Sequence, residues 1–228
     1  MVKSTRPDVV HKRPKDIAPG TTVICKNKFD VLYVDCPWNV NQRGNFGAIK
    51  HYPLMGLKEL TAMPVADLCK ENAVCFLWIV AGPEGQKAGE AVLEAWGFKW
   101  VDRMIGIKPG LGLGNRTRHC YETCLIGVKG NMPVDFHGQP DWMFFPRQDH
   151  SHKPEEMYAI IERMHQDRDY LELFARNRPS NPNWYIWGDE AEGGSDIYIP
   201  GYPVPKYSDR VQFIPPEHKP QHLKKEEA

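Results

Sequence analysis

Six short runs constrain this chain more than anything else in it: Val31–Val34, Ala73–Val80, Trp100–Ile107, Thr123–Val128, Leu171–Ala175 and Trp184–Trp187. They are rich in β-branched and aromatic residues. Several are apolar on both faces, the pattern of strands covered by helices on either side. Between them, Glu84–Trp96 and Pro154–Met164 repeat apolar residues at the helical period, with Pro154 suited to a first turn. This alternation predicts an α/β fold: a central, mostly parallel sheet with helices on both faces, Rossmann-like in its layers. With 228 residues, 41% of them hydrophobic, the chain can bury one sizeable core, so a single domain is expected.

The two ends read differently from the middle. Residues 1–15 carry Lys3, Arg6, His11, Lys12, Arg13 and Lys15 with little apolar pattern, which reads as a flexible basic arm. Residues 201–228 are rich in proline, lysine and glutamate and read as an extended tail, leaving 16–200 as the folded domain. No run is long enough to cross a bilayer and the N-terminal segment lacks a signal peptide's apolar stretch, so a soluble intracellular protein is expected. Cys25, Cys36, Cys69, Cys75, Cys120 and Cys124 form no Cys-x-x-Cys pair and read as reduced core residues. The pair in Asp149-His150-Ser151-His152 reads as surface or hydrogen-bonded histidine, so no metal site is expected. Formal net charge is zero, so any contact with nucleic acid must come from local patches or from a partner.

The first run ends in Asp35-Cys36-Pro37-Trp38, an acid, a proline turn and an indole at the carboxyl end of a strand. Open α/β sheets place ligand sites there. The trio suits a flat, weakly nucleophilic amine: the carboxylate and a main-chain carbonyl accept its two N–H protons while the indole stacks on its ring. Taken alone, the four residues favour an ordinary turn with a capping Asp and a core Trp, and it is the rest of the chain that favours a site. A glycine-rich stretch, Gly110-Leu111-Gly112-Leu113-Gly114, leads into Asn115-Arg116-Thr117-Arg118-His119, which lacks a helix's apolar period. It therefore fails the dinucleotide fingerprint. It reads either as a basic loop that closes over a substrate phosphate or as a merely floppy one.

Four features occur in order: Asp35-Cys36-Pro37-Trp38; Glu122-Thr123-Cys124-Leu125-Ile126-Gly127-Val128-Lys129-Gly130; Ser151-His152-Lys153-Pro154; and Leu171-Glu172-Leu173-Phe174-Ala175-Arg176, leading to Asn183-Trp184 and Trp187-Gly188-Asp189-Glu190. Together they resemble the MT-A type family of N6-adenine methyltransferases, from about Asp16 to about Glu190. The resemblance implies a methyltransferase version of the Rossmann-like fold that takes S-adenosylmethionine as cofactor and methylates the N6 amino group of adenine in RNA or DNA. Asp35, Cys36, Pro37 and Trp38 fall on the family's catalytic Asp-Pro-Pro-Trp. Asp16 and Ile17 match a pair that touches the cofactor's adenine, and Lys153 the lysine that meets its methionine carboxylate. Glu172, Phe174 and Arg176, with Arg178 as a further candidate, match the lining of its ribose and methionine moieties; Asp35 borders the same pocket. Asp189 and Glu190 match contacts to the ribose hydroxyls. On the substrate side, Glu122 matches an acid near the base and Tyr52 an active-site loop residue, while Arg116, Arg118 and His119 are candidates for phosphate contacts.

Glu172 also stands out without the family, because a carboxylate inside an apolar strand is costly unless it points outward or meets a partner. The chain departs from the family at Cys36, where most catalytic members have proline. The carbonyl survives the change but proline's fixed φ does not, which implies activity that is reduced or partner-dependent. The alternative from a different class is a catalytically silent subunit that scaffolds nucleic acid and activates a sister methyltransferase. The expected partners are an adenine presented single-stranded or flipped from its stack and a second copy or a related subunit, with no membrane.

Overall fold

A computed structural model of the protein describes residues 28–39, 54–108, 110, 116–144, 154–211 and 214. In chain order the elements are β1 (Phe29–Asp35), α1 (Leu57–Thr61), a 3-10 turn (Val65–Leu68), β2 (Cys69–Ile79), α2 (Pro83–Ala95), β3 (Lys99–Ile107), β4 (Tyr121–Lys129), β5 (Trp142–Phe144), α3 (Glu156–Met164), β6 (Tyr170–Leu173) and β7 (Trp184–Trp187). The strands form one seven-stranded sheet in the order β5-β3-β4-β2-β1-β6-β7. β1 pairs in parallel with β2 and β6, β6 with β7, and β3 with β5, whereas β4 runs antiparallel to both β2 and β3. The expected α/β architecture is what the chain adopts.

The antiparallel strand has a local cause. A parallel return needs a crossover, and here β3 turns straight back as a hairpin whose neck is closed by the Lys108 N–H donating to the Cys120 carbonyl at 2.8 Å. The middle of the sheet is buried on both faces. On one side Leu32, Val34 and Leu77 pack with Leu60 of α1 and Val92, Leu93 and Trp96 of α2 or its end. On the other, Val31, Tyr33 and Phe76 pack with Met157, Ile160 and Ile161 of α3. Each large side chain so buried contributes roughly 1.5–3 kcal/mol. Helix α2 lies unusually close to β2. A Cβ on Gly85 would sit 1.8 Å from the Val80 carbonyl oxygen, and one on Gly89 would sit 2.4 Å from Ile79 Cγ2.

Several boundaries differ from expectation. α2 starts at Pro83 and α3 at Glu156, two residues past Pro154, whose carbonyl accepts the Met157 N–H at 3.0 Å in the turn before the helix. β6 stops at Leu173 rather than Ala175, because Phe174 has φ +63°, a left-handed conformation that ends a strand. β5 and α1, three and five residues long, are too short for periodicity to reveal. Past Gly201, the expected start of the tail, Tyr202, Val204, Tyr207 and Ile214 are buried in the α1/α2 side of the core. They are tied down by Asp196, fully buried, which pairs with Arg178 and Arg210 and accepts from Ser208 Oγ at 2.5 Å. The basic arm, Cys25, the glycine-rich residues 111–115 and residues 215–228 lie outside the described residues. Among the described residues no helix is long and apolar enough to cross a membrane.

Candidate active site

The six parallel strands end along one edge of the sheet, and among the described residues Asp35, Glu122, Glu172, Arg176, Asp189 and Glu190 lie at or near that edge. Side-chain alternation sets their faces. Asp35 stands in the row of Trp78 and Cys124, on the side packed by α3. Glu172 is one row below, beside Tyr33, and Glu122 one row beyond, opposite Gly106. Three carboxyl groups from β1, β6 and β4 therefore share one face at one edge. β2 separates β1 from β4, which sets Asp35 and Glu122 on strands about 10 Å apart.

The turn after Asp35 is held rigidly. The Cys36 carbonyl accepts the Trp38 N–H at 2.9 Å, the Pro37 carbonyl accepts the Met55 N–H at 2.8 Å, and the Asn39 N–H donates to the Met55 carbonyl at 3.0 Å. Each of the two motif carbonyls keeps a second lone pair. Trp38 is buried, with its indole N–H donating to the Trp78 carbonyl at 3.0 Å. Its placement differs from the expected open stacking surface: the ring is locked into the core and anchors the turn. Cys36 is buried too, and burial first, then the neighbouring Asp35 charge, push its thiol well above the usual range, so it stays neutral.

Glu172 has the partner its position required. Its Oε2 accepts the Tyr158 hydroxyl at 2.7 Å, and Tyr33 alongside accepts the Trp78 indole N–H at 3.0 Å. Burial raises the Glu172 carboxyl to about 8, against the Tyr158 hydrogen bond that lowers it, with the Asp35 charge adding to the rise. Glu172 is thus mostly protonated at neutral pH. Burial, and then the Glu172 charge, also push Tyr158 far above the ordinary phenol range. Sequence reasoning missed Tyr158 as a site residue, although a buried carboxylate calls for a donor and α3 is the helix covering that face.

At the ends of β6 and β7, Phe174 in its left-handed conformation packs edge-on to Trp187 at 5.3 Å. A Cβ on Gly188 would lie 2.6 Å from the Ala175 carbonyl oxygen, so only glycine lets the two strand ends close together. Arg176 pairs with Glu190 at 3.1 Å beside the exposed Asp189. Arg178, expected at the cofactor, is committed elsewhere: it binds both oxygens of Asp196, at 2.7 and 2.9 Å, and the Gly194 carbonyl at 3.0 Å. A buried carboxylate is the stronger competitor for a guanidinium, which makes Arg178 a brace for the loop.

Glu122 pairs with Lys108 at 2.5 Å, a partner that sequence reasoning missed, since only the β3–β4 hairpin register brings the two together. Arg116 and Arg118 are exposed and His119 half-buried at the same corner. Asp16, Ile17, Tyr52 and Lys153 lie outside the described residues. Arg176, Asp189 and Glu190 thus set a cation and two exposed carboxylates together just past the ends of β6 and β7, groups of the kind that hydrogen-bond a carboxylate and hydroxyls.

Comparison with known proteins bears on this arrangement. A family model described as MT-A70 matches residues 29–190. An Arabidopsis thaliana protein named N(6)-adenosine-methyltransferase MT-A70-like is 30% identical over 173 residues, covering 72% of this chain and 24% of the relative. The human N(6)-adenosine-methyltransferase catalytic subunit METTL3 is 30% identical over 176 residues, 73% of this chain and 29% of that protein. A Mycoplasma protein named Type II methyltransferase M.MunI is 28% identical over 193 residues, covering 72% of this chain and 78% of its own length. The chain thus spans less than a third of the length of its plant and human relatives.

Proposed function

The chain belongs to the MT-A70 family of methyltransferases, and from that premise we propose that it transfers a methyl group from S-adenosylmethionine to the N6 amino group of adenine in RNA or DNA. The observation that carries the reading is the Asp35–Trp38 turn, pinned at the end of β1 by Met55 and Trp78, with an acid and two carbonyls on three successive residues. An exocyclic amine is a poor nucleophile because its lone pair is delocalised into the ring. Asp35 and the free lone pair of the Cys36 or Pro37 carbonyl accept its two N–H protons and draw it toward a tetrahedral form. Bound S-adenosylmethionine supplies an activated methyl group; the residues of this chain supply position. Arg176, Asp189 and Glu190 hold the cofactor's polar ends, with Asp16, Ile17, Lys153 and Phe174 completing the pocket. Glu172, protonated and bonded to Tyr158, sits one row below Asp35 as a neutral donor or acceptor, so it adds no second negative charge beside it. Glu122, Arg116, Arg118 and His119 are assigned to the nucleic acid, as is Tyr52 on the family resemblance alone. The amine's surplus proton leaves to water, directly or through Asp35.

A second reading has its own observation. Both motif carbonyls already accept a main-chain N–H, and Cys36 stands where catalytic relatives have proline, which favours a subunit that gains full activity only with a partner. Transfer of labelled methyl from S-adenosylmethionine to adenine-containing single-stranded RNA and DNA tests both. The expected result is product with the wild type and at least a hundredfold loss in Asp35→Asn, about the effect of removing a transition-state acceptor. Cofactor binding by calorimetry without any transfer points to the partner-dependent reading; a folded chain with neither result refutes the enzyme.

A further inference from the structure

Among the described residues, one corner of the sheet is exposed. On the α2 side, Thr123, Ile105 and Trp142 stand in one row and Tyr121, Ile107 and Phe144 in the next, at the rim where the strands end. α2 reaches Ile79 and Leu125 on that face. Further out, Tyr121 is 50% exposed, Trp142 48% and Phe144 66%, and none of the three belongs to either core layer. The rings of Trp142 and Phe144 meet edge to face at 5.3 Å on the outermost strand. Contiguous exposed aromatic surface of this kind marks a contact site.

The chemistry around the rings indicates what covers them. Arg116 and Arg118, both exposed, precede Tyr121 in the hairpin whose neck joins Lys108 to Cys120. Aromatic faces beside guanidinium groups are the elements that hold single-stranded nucleic acid, with bases on the rings and phosphates on the cations. Tyr121 and Phe144 are two strand spacings apart, about 10 Å, which is about three stacked nucleotides at 3.4 Å each. The rim is the same edge of the sheet that carries Asp35, on the opposite face, so a strand that stacks here reaches the Asp35 side by passing over that edge.

We propose that Tyr121, Trp142 and Phe144 form a stacking platform for the single-stranded segment flanking the target adenine, with Arg116 and Arg118 on its phosphates. This rests on the adenine methyltransferase reading above. A duplex keeps its base faces stacked internally, so the platform selects single-stranded over double-stranded nucleic acid.

The test is fluorescence anisotropy of the full chain with a labelled, adenine-containing single-stranded RNA or DNA and the matching duplex. The wild type binds the single strand more tightly. Trp142→Ala/Phe144→Ala weakens that binding by about tenfold or more, while Trp142→Phe, which keeps a ring, changes it by less than about threefold. Both rings are exposed, so melting temperature holds and calorimetry gives unchanged cofactor affinity in the double variant. In methyl-transfer assays the same variant raises KM and spares kcat. Single-strand affinity unchanged in the double variant overturns the proposal, as does a wild type that binds no single strand. A wild-type dimer that becomes a monomer in the variant, with unchanged oligomer affinity, assigns the face to a protein partner and overturns it too. Absent methyl transfer with ring-dependent binding refutes the enzyme reading and leaves the platform standing.

Discussion

Replacing Glu172 by Gln should make the cofactor-free protein more stable at neutral and alkaline pH, although the residue lies in the candidate active site. The folded-state carboxyl titrates at about 8, against 4.5 when unperturbed, because burial disfavours the carboxylate more than the Tyr158 hydroxyl favours it. Between these values the folded chain retains a proton that the unfolded chain has released. Stability contributed by the neutral form is therefore complete below about pH 4.5, declines as pH rises, and is gone above about pH 8. At ~1.4 kcal/mol per pH unit, the wild type gives up roughly 3 kcal/mol by pH 7 and roughly 5 kcal/mol by pH 8 and above. The glutamine amide is neutral throughout and still accepts the Tyr158 O–H. Denaturant unfolding of wild type and E172Q, followed by circular dichroism from pH 5 to 9, isolates this residue and its coupling to Asp35, since the groups that do not interact with it cancel in the difference. The expected difference is under about 1 kcal/mol at pH 5 and widens in favour of E172Q to several kcal/mol by pH 8. A difference independent of pH, or one that widens in favour of the wild type, refutes the burial argument. An ionisable group kept at such a cost to stability is what an active site retains for function.

Three further outcomes follow from the packing. Arg178→Ala leaves Asp196 buried without its principal partner and should lose roughly 3 kcal/mol of unfolding free energy, while Arg176→Ala should weaken S-adenosylmethionine binding with little change in melting temperature; the reverse pattern would return Arg178 to the cofactor pocket. Gly85→Ala drives a Cβ into the Val80 carbonyl and should destabilise by more than about 3 kcal/mol, seen as a lower denaturant midpoint or lost soluble expression, whereas wild-type stability would mean that α2 does not approach β2 this closely. Cys36, Cys69 and Cys75 are buried, with thiols pushed up, Cys69 to about 12, so iodoacetamide at pH 8 followed by peptide mapping should leave all three unmodified in the native protein and label them on unfolding.

The sheet was largely legible because its signals are local. Six of the seven strands announce themselves as apolar runs, and the turn at Asp35 follows from an acid and a proline at the end of one of them. β5 was not legible, since three residues carry no period, and the end of β6 was misread because Phe174 adopts a backbone conformation its side chain does not advertise. At the site, Glu172 was visible as a misfit within its own strand, but its donor, Tyr158, lies on a different element.

By itself, then, the order of residues determined the α/β class, the turn that ends β1 after Asp35 and the oddity of a buried acid, because hydrophobic period and turn chemistry act over a few neighbours. The tertiary structure alone decided that β4 inserts antiparallel between β2 and β3, that Trp38 is sealed into the core, that Glu172 is held neutral and that Arg178 goes to Asp196. Those outcomes depend on which distant groups compete for the same hydrogen bond or the same dry space, and that competition exists only once the chain has closed.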